Sequence, residues 1–236
     1  MGKQLYITTA IPYANAAPHI GNAMDYLYAD IWARYQTQNG NQVRFQVGTD
    51  EHGSKIAAKA ADAGATPQAY VDQMHGNFAN LLKVMNVSHT DFIRTTDAHH
   101  IGAVQYIWQQ LEPHIYKGSY EGWYCVGCES FVTDKEATAN NGVCPDHQTA
   151  YQRLSEENYY LRASSFTEQI RTAIETDKMK ILPEFRKREF LELIKDGLQD
   201  VSISRPRKNL SWGVSVPGDD SQVMYVWLDA LSNYLT

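Results

Sequence analysis

The first hundred residues alternate short apolar runs with stretches of helical periodicity. Three apolar or alternating runs predict strands, at Leu5–Thr8, at Val43, Phe45 and Val47, and at Phe92–Ile93. A first helix is predicted over Ala23–Gln38. A second follows Thr66 and Pro67, and its apolar positions are Val71, Met74, Phe78, Leu81 and Met85. A third is indicated by the apolar residues Ile101, Val104, Trp108 and Leu111. Strands that alternate with helices favour an α/β fold with a parallel sheet and right-handed crossovers.

The alternation ends near Glu112. Residues 116–150 are rich in Gly, Cys, Asn and Asp and show little periodicity. Helical patterns then return with a predicted capping box of Ser165 and Glu168. Another predicted helix is opened by Pro183 and closed by Gly197, and its expected apolar face is formed by Phe185, Phe190, Leu193 and Ile194.

A late apolar run, Val223–Leu228, predicts a buried strand that returns to the first sheet. The pattern therefore predicts three segments. Residues 1–113 form the first half of the sheet domain, residues 114–221 form an insertion, and residues 222–236 return to the sheet.

Polar loops follow the first two predicted strands. Residues 9–13 follow strand one, and residues 48–53 follow strand two. Because the carboxyl ends of parallel strands lie at one edge of a sheet, where ligands bind, we expect both loops to line one cleft.

The segment Pro18-His19-Ile20-Gly21-Asn22 lies between strand one and the following helix. The free N–H groups and the positive dipole of a helix N-terminus attract phosphate. His19 adds a donor, and Gly21 permits a close approach to the backbone. A histidine at this position also serves as a local hydrogen-bonding residue, so the segment alone does not establish a phosphate site.

The three cysteines and one histidine have the spacing Cys-x2-Cys-x15-Cys-x2-His, formed by Cys125, Cys128, Cys144 and His147. Two such knuckles supply four ligands in a tetrahedron, which is typical of structural zinc. The alternative is a disulfide with a spare thiol. The odd number of cysteines disfavours it.

Composition excludes several classes of protein. The 236 residues carry a net charge of -6, with 21 basic and 27 acidic residues, which does not favour a general nucleic-acid coating protein. No apolar run reaches the roughly 20 residues of a membrane span, and no secretory signal is visible, so a cytoplasmic protein without membrane association is predicted.

Taken together, six motifs resemble methionyl-tRNA synthetases, which are class I aminoacyl-tRNA synthetases. They are Ala10–Asn15, Pro18–Asn22, Gly48–Gly53, the cysteine–histidine pattern, Ser202–Pro206 and Tyr225–Ala230. The resemblance covers the whole chain in order. It implies a Rossmann-like parallel sheet that is interrupted by a zinc-bearing connective insertion.

The resemblance also implies a reaction. The family activates L-methionine with ATP, which is bound with Mg2+, and transfers the methionyl group to tRNA(Met). By motif, Pro18, His19, Gly21 and Asn22 would hold ATP, with His19 and Asn22 as the catalytic pair. The methionine site would comprise Ala10, Ile11, Tyr13, Asp50, Val226, Trp227, Ala230 and Tyr234. Asp50 would pair with the substrate ammonium, although a carboxylate at a loop end also serves as a helix N-cap. The zinc would be structural.

Other features of the family do not occur in these residues. Asn22 replaces the second histidine of the class signature, a Lys-Met-Ser-Lys-Ser-like loop is missing, and so is the anticodon-binding domain. The resemblance therefore implies the N-terminal catalytic portion of a synthetase with poor activity of its own. Neither motif nor spacing assigns a role to His52 or Arg205.

Three alternatives remain. They are a synthetase-like binding protein without catalysis, a nucleotidyltransferase, and a synthetase for another apolar amino acid. The long cysteine-bearing insertion disfavours the nucleotidyltransferase, and Tyr13 with Trp227 favours methionine. A nicotinamide-dependent enzyme is disfavoured because no Gly-x-Gly-x-x-Gly follows strand one.

Overall fold

A computed structural model describes residues 2–128 and 130–236 and divides them into two compact units. One unit contains the residues up to Gln109 together with Pro206–Thr236, and the other is Gln110–Arg205. The domain boundaries predicted from the sequence, between residues 113 and 114 and between residues 221 and 222, stay a prediction. Within the described part of the chain, no helix combines the length and apolar character that crossing a bilayer requires.

The N-terminal part of the first unit follows the predicted alternation of strands and helices. Its elements are β1 (Gln4–Thr8), α1 (Ile20–Gln38), β2 (Gln42–Thr49), α2 (Ser54–Asp62), α3 (Pro67–Val84), β3 (Asp91–Arg94) and α4 (Ala98–Leu111). The three strands form a parallel sheet of order β1-β2-β3, in which Leu5 pairs with Val43, and Val47 pairs with Phe92. The predicted α/β fold with a parallel sheet is therefore confirmed.

The core of this unit lies between β2 and the helices α1 and α3. Its buried members are Tyr26, Ala29, Ala33, Phe45, Val47, Phe78, Leu82 and Val87. Each large apolar side chain removed from water contributes about 1.5–3 kcal/mol. The predicted start of α3 is also confirmed, since the Thr66 hydroxyl caps this helix and Pro67 is its first residue.

The second unit is built around a long antiparallel pair. Its elements are β4 (Ile115–Cys125), β5 (Ser130–Val132), α5 (Asp134–Ala139), β6 (Gln152–Leu161), α6 (Thr167–Glu175), α7 (Glu184–Leu193) and β7 (Val201–Ser202), followed at the unit boundary by β8 (Ser204–Pro206). The sheet order is β5-β4-β6-β7. Sequence periodicity missed β4 because its glycines and aromatic residues do not form an apolar alternation. Cross-strand contacts stabilise it instead, such as the stacked rings of Tyr116 and Tyr160 at 5.6 Å.

Residues 206–236 lie in the first unit, where β9 (Ser215–Val216) and β10 (Asp219–Met224) precede α8 (Val226–Ser232). The single strand predicted over Val223–Leu228 is wrong, since β10 ends at Met224 and a helix begins at Val226. The strand β10 pairs with β9 and not with the parallel sheet. An apolar run of this length does not distinguish a strand from the start of a buried helix, which explains the error.

Two further local predictions are wrong. The helix α6 begins at Thr167 after a 3-10 turn, so the Ser165 hydroxyl donates to the carbonyl of Arg162 and forms no capping box with Glu168. The expected apolar face of α7 does not exist either. Phe185 and Leu193 are exposed, whereas Ile194 is buried. Nine residues rotate a helix by about 900°, so Phe185 and Ile194 point to opposite sides.

Candidate active site and metal cluster

The polar loops after β1 and β2 are joined by main-chain hydrogen bonds. The N–H of Asp50 donates to the carbonyl of Pro12 at 2.9 Å, and the N–H of Ala14 donates to the carbonyl of Asp50 at 2.8 Å. Tyr13 and Asp50 form an isolated parallel bridge. Both loops therefore lie at the same edge of the sheet, as the sequence predicts.

At that edge, the Asp50 carboxylate is buried, with 8% of the residue exposed. Burial is the main cause that raises its pKa to about 7, and the charge of Asp229 raises it further against the opposing effect of His52. Asp50 does not cap α2, because the N-cap of that helix is Gly53. The structure thus places at this edge a carboxyl group that is only partly ionised near pH 7, and a bound cation would favour its charged form.

Gly53 fixes the contact between this loop and Tyr13. Its φ is 124°, a conformation that favours glycine, and a Cβ at this position would lie 2.3 Å from the hydroxyl oxygen of Tyr13. Tyr13 therefore packs against the main chain of Gly53, at the end of the loop that follows β2.

Behind Asp50 lies a buried carboxylate with two histidine partners. Asp229 is 2% exposed, and its Oδ2 lies 2.7 Å from Nδ1 of His52. Its Oδ1 lies 3.0 Å from Nε2 of His100, which is fully buried. Burial lowers the pKa of His52, but the hydrogen bond and charge of Asp229 outweigh burial and raise it. Burial raises the pKa of Asp229, but its two histidine partners outweigh burial and hold it below its ordinary value.

The neighbouring Glu51 is neutralised by an arginine. Its fully buried carboxylate accepts from Nε of Arg94 at 2.9 Å and from the hydroxyls of Thr49 and Thr96. The indole N–H of Trp212 donates to the carbonyl of Glu51 at 2.6 Å. Glu51 therefore holds the loop in place through its own partners.

His19 and Asn22 form the N-terminal cap of α1. Nδ1 of His19 accepts from the N–H of Gly21 at 3.1 Å, and Oδ1 of Asn22 accepts from the N–H of His19 at 3.0 Å. A neutral His19 therefore carries its proton on Nε2, and Asn22 keeps its NH2 group as a donor. Since His19 and Gly21 are exposed and Asn22 and Pro18 are half-buried, the predicted phosphate-binding segment presents donors to solvent.

The remaining residues of the predicted methionine site differ in exposure. Ala230 is buried, Ile11, Tyr13 and Tyr234 are half-buried, and Ala10, Val226 and Trp227 are exposed. Trp227 is 55% exposed, and it lies about 200° around α8 from Asp229. The structure therefore brings Asp50 and Tyr13 together directly, whereas Trp227 stands on the other side of α8 from the buried histidine–carboxylate cluster.

In the second unit, four predicted ligands converge. The ligand atoms of Cys125, Cys128, Cys144 and His147 all lie within 4.8 Å of one another. Sγ of Cys128 is 3.5 Å from Sγ of Cys144 and 3.3 Å from Nδ1 of His147. A Cβ at Gly127 would lie 2.3 Å from the His147 ring, so the turn between the first two cysteines requires glycine.

These distances fit a tetrahedral zinc ion. With Zn–S bonds of about 2.3 Å, a tetrahedron has S···S edges of about 3.8 Å, and its S···N edges are slightly shorter. Cys125, Cys144 and Tyr151 are buried beside Ala137 in a small core. Four protein ligands leave no open position, so the donor set fits a structural ion.

Sequence reasoning missed the supporting residues of the active-site edge. These are Glu51, Arg94, His100, Trp212 and Asp229. Glu51 and Asp229 both lie in motifs that carry the resemblance, but neither motif nor spacing assigns them a role. His100, in the first turn of α4, and Trp212 are distant in sequence from β2, so nothing in the local pattern indicates their contacts.

Comparison with known proteins gives consistent matches. The family described as tRNA synthetases class I (M) matches residues 5–156 and 148–236. The methionine–tRNA ligase of Clostridium tetani is 44% identical over 99% of this chain and 36% of that protein. That of Caldanaerobacter subterraneus is 43% identical over 100% of this chain and 37% of that protein.

Among solved structures, the Mycobacterium tuberculosis methionyl-tRNA synthetase in complex with methionyl-adenylate matches with a TM-score of 0.89 and 38% identity. The match covers 100% of this chain and 46% of that chain. The chain therefore spans less than half the length of these relatives.

The cap of α1 yields a testable prediction. In Gly21→Ala, the new Cβ would lie 2.9 Å from Cε1 of His19, so we expect the ring to move and the bond from the Gly21 N–H to be lost. Histidine 15N NMR should show an Nε2–H tautomer for His19 in the wild type and a mixed tautomer in the variant.

The matched control is Gly76→Ala. Gly76 is also helical and has no atom within 4 Å of its added Cβ. The His19 spectrum of the Gly76→Ala variant should equal that of the wild type. An unchanged His19 spectrum in Gly21→Ala would refute the proposed contact.

Proposed function

The chain belongs to the class I tRNA synthetases (M), and from this premise we propose that it carries the methionine-binding and phosphate-binding parts of a methionine–tRNA ligase. In the complete protein, L-methionine and ATP with Mg2+ would react to methionyl-adenylate, and the methionyl group would pass to tRNA(Met). The chain by itself is proposed to bind methionine and to activate it poorly. A soluble cytoplasmic location without membrane or DNA association fits this role.

The buried carboxyl group of Asp50 is the observation that carries the proposal. It lies at the carboxyl edge of a parallel sheet, where the loop from β1 is bonded to its main chain. A substrate ammonium would pair with the Asp50 carboxylate and compensate its desolvation. Tyr13, directly across the bridge from Asp50, would contact the substrate beside the amine.

The pocket walls are proposed to come from β1 and α8. Ala10, Ile11 and Tyr13 would contribute from the first side, and Val226, Trp227, Ala230 and Tyr234 from the second. Aromatic rings suit a thioether, since each sulfur–ring contact contributes about 0.3–1.5 kcal/mol. The exposure of Trp227 leaves its indole accessible to a ligand.

The cap of α1 is proposed to bind ATP. A carboxylate oxygen of methionine would attack the α-phosphorus, the bond between that phosphorus and the bridging oxygen would break, and pyrophosphate would leave. Negative charge builds on the α-phosphate oxygens during this step. Nε2–H of His19, the NH2 group of Asn22 and the first N–H groups of α1, near Pro18 and Gly21, would donate to these oxygens.

We further propose that Cys125, Cys128, Cys144 and His147 hold a structural zinc ion. Zinc would cross-link β4, the turn after it and the second knuckle, in a region whose core is small. The ion would take no part in the reaction, since its four positions are filled by the protein.

A synthetase-like binding protein without catalysis is the second candidate. The two candidates share the methionine site and differ in adenylate formation.

The first prediction concerns methionine affinity. Asp50→Asn should weaken methionine binding by about thirtyfold or more, which corresponds to 2 kcal/mol or above, because a buried charge pair is lost. Calorimetry measures this affinity, and Asp25→Asn, on the exposed face of α1, is the control that should bind as the wild type does. Equal affinity of Asp50→Asn and wild type would disprove the assignment of Asp50.

The second prediction concerns activation. The rate of ATP–pyrophosphate exchange by this chain should fall below the range of about 1–1000 per second that is ordinary for enzymes. Exchange within that range would contradict the proposed poor activity. Methionine binding with no exchange at all would favour the binding protein.

The third prediction concerns the metal. Purified protein should contain about one zinc per chain, and Cys144→Ser should contain less and unfold at a lower temperature, since one of four ligands is lost. Mass-spectrometric metal analysis and thermal unfolding with and without a chelator measure both effects. Asp146→Asn is the control, because Asp146 lies between two ligands but outside the cluster. Zinc-free wild type that is indifferent to the chelator would exclude the site.

A further inference from the structure

The carboxylate of Asp229 connects three separate elements of the first unit. Asp229 lies in α8, His52 lies in the loop after β2, and His100 lies in the first turn of α4. Each oxygen of Asp229 has one histidine partner, at 2.7 and 3.0 Å. With the exposed fractions of Asp229 and His100 at 2% and 0%, water does not compete for these bonds.

The position of Asp50 depends on the same loop. Asp50 is two residues before His52, so the bond between His52 and Asp229 fixes the loop directly after the amine-binding carboxylate. The ring of His52 is held from another direction by Trp212, whose ring centroid is 5.4 Å away at an angle of 62°. Asp229 thus determines where the chain that follows Asp50 can lie.

The charges around Asp50 come from a small set of groups. Asp229 and Glu51 raise its pKa, and His52 lowers it. Glu51 is neutralised by Arg94 at 2.9 Å, and His52 and His100 face Asp229. Since the carboxylate of Asp229 faces His52 and His100 and that of Glu51 faces Arg94, Asp50 is the acid whose carboxyl group forms no ion pair among these groups.

We propose that Asp229 is a positioning residue for the amine site. Through His52 it fixes the loop that carries Asp50, and its charge makes the site bind a cationic amine in exchange for a proton. This inference rests on the proposed function and deepens it. Where Asp50 is protonated, its carboxyl group releases the proton to solvent as the R–NH3+ group of methionine pairs with the carboxylate.

This exchange predicts a pH dependence of affinity. Below the pKa of Asp50, which is about 7, the carboxyl group holds its proton, so methionine affinity should fall about tenfold for each unit of pH. Calorimetric titrations from about pH 5.5 to 8 locate the midpoint. An analogue that lacks the amine, 4-(methylthio)butanoate, should not show the loss of affinity below pH 7.

Two variants should move this midpoint in opposite directions. His52→Gln removes the group that lowers the pKa of Asp50 and leaves the negative charge of Asp229 in place, so the midpoint should rise. Asp229→Asn removes the negative charge and, with it, the main cause that raises the pKa of His52. Because Asp229 raises the pKa of Asp50 by more than His52 lowers it, the midpoint should fall. The pKa of His52 itself, measured by NMR, should also fall in Asp229→Asn.

The outcomes separate the two proposals. If the wild type does not bind methionine at any pH, the proposed function fails. If it binds but neither variant moves the midpoint, Asp229 is merely structural and this inference is overturned. Asp220→Asn, an exposed position on β10, is the control that should leave the midpoint unchanged. Should Asp229→Asn fail to fold by circular dichroism, His52→Gln decides, because an unchanged midpoint there also overturns the inference.

Discussion

The two main-chain hydrogen bonds of Asp50, to Pro12 and from Ala14, are the constraint on which the candidate site depends. They extend the parallel pairing of β1 and β2 beyond the ends of the two strands. The loop after β1 therefore runs alongside the loop after β2. A buried carboxyl group is thereby fixed next to Tyr13 by the backbone, before any substrate is present. Because these bonds involve backbone groups, side-chain substitutions at the surface of the loops leave them intact. The sheet therefore sets the geometry of the candidate site, and the side chains set its charge.

The three buried acids at this edge differ in how far neighbouring groups compensate their negative charge. Glu51 has Arg94 and two hydroxyls, and Asp229 has two histidines. Breaking a buried pair by removing one partner costs about 3–5 kcal/mol, so these two acids are best explained as part of the framework. Asp50 differs, since its neighbours do not outweigh the effect of burial, which raises its pKa to about 7. A site that leaves one acid undercompensated is unfavourable for stability, but it gives a cationic ligand a larger gain on binding.

The sequence was sufficient for features that depend on local pattern. The parallel alternation, the cap of α3 at Thr66, and the convergence of four zinc-type ligands all follow from spacing and residue type. It was insufficient where tertiary contacts decide. Val223–Leu228 reads equally well as strand or helix, and β4 is stabilised by cross-strand partners such as Tyr160, 44 residues from Tyr116 in sequence. The cluster of His52, His100 and Asp229 joins residues separated by up to 177 positions, and no local signal marks such a group. Residue roles toward methionine and ATP stay predictions.

The departure of Asn22 from the class histidine has a physical rationale in the cap of α1. Its Oδ1 accepts from the N–H of His19, which satisfies a backbone donor at the helix entrance and fixes the orientation of the amide. The NH2 group is then left as a donor of fixed direction. A histidine could offer a charged donor, but its strength would vary with pH, whereas an amide donates equally at every pH at which the protein folds. With His19 oriented by Gly21 in the same cap, one hydrogen-bonded turn aligns both side chains. The substitution thus exchanges electrostatic strength for a donor whose direction is determined by the fold.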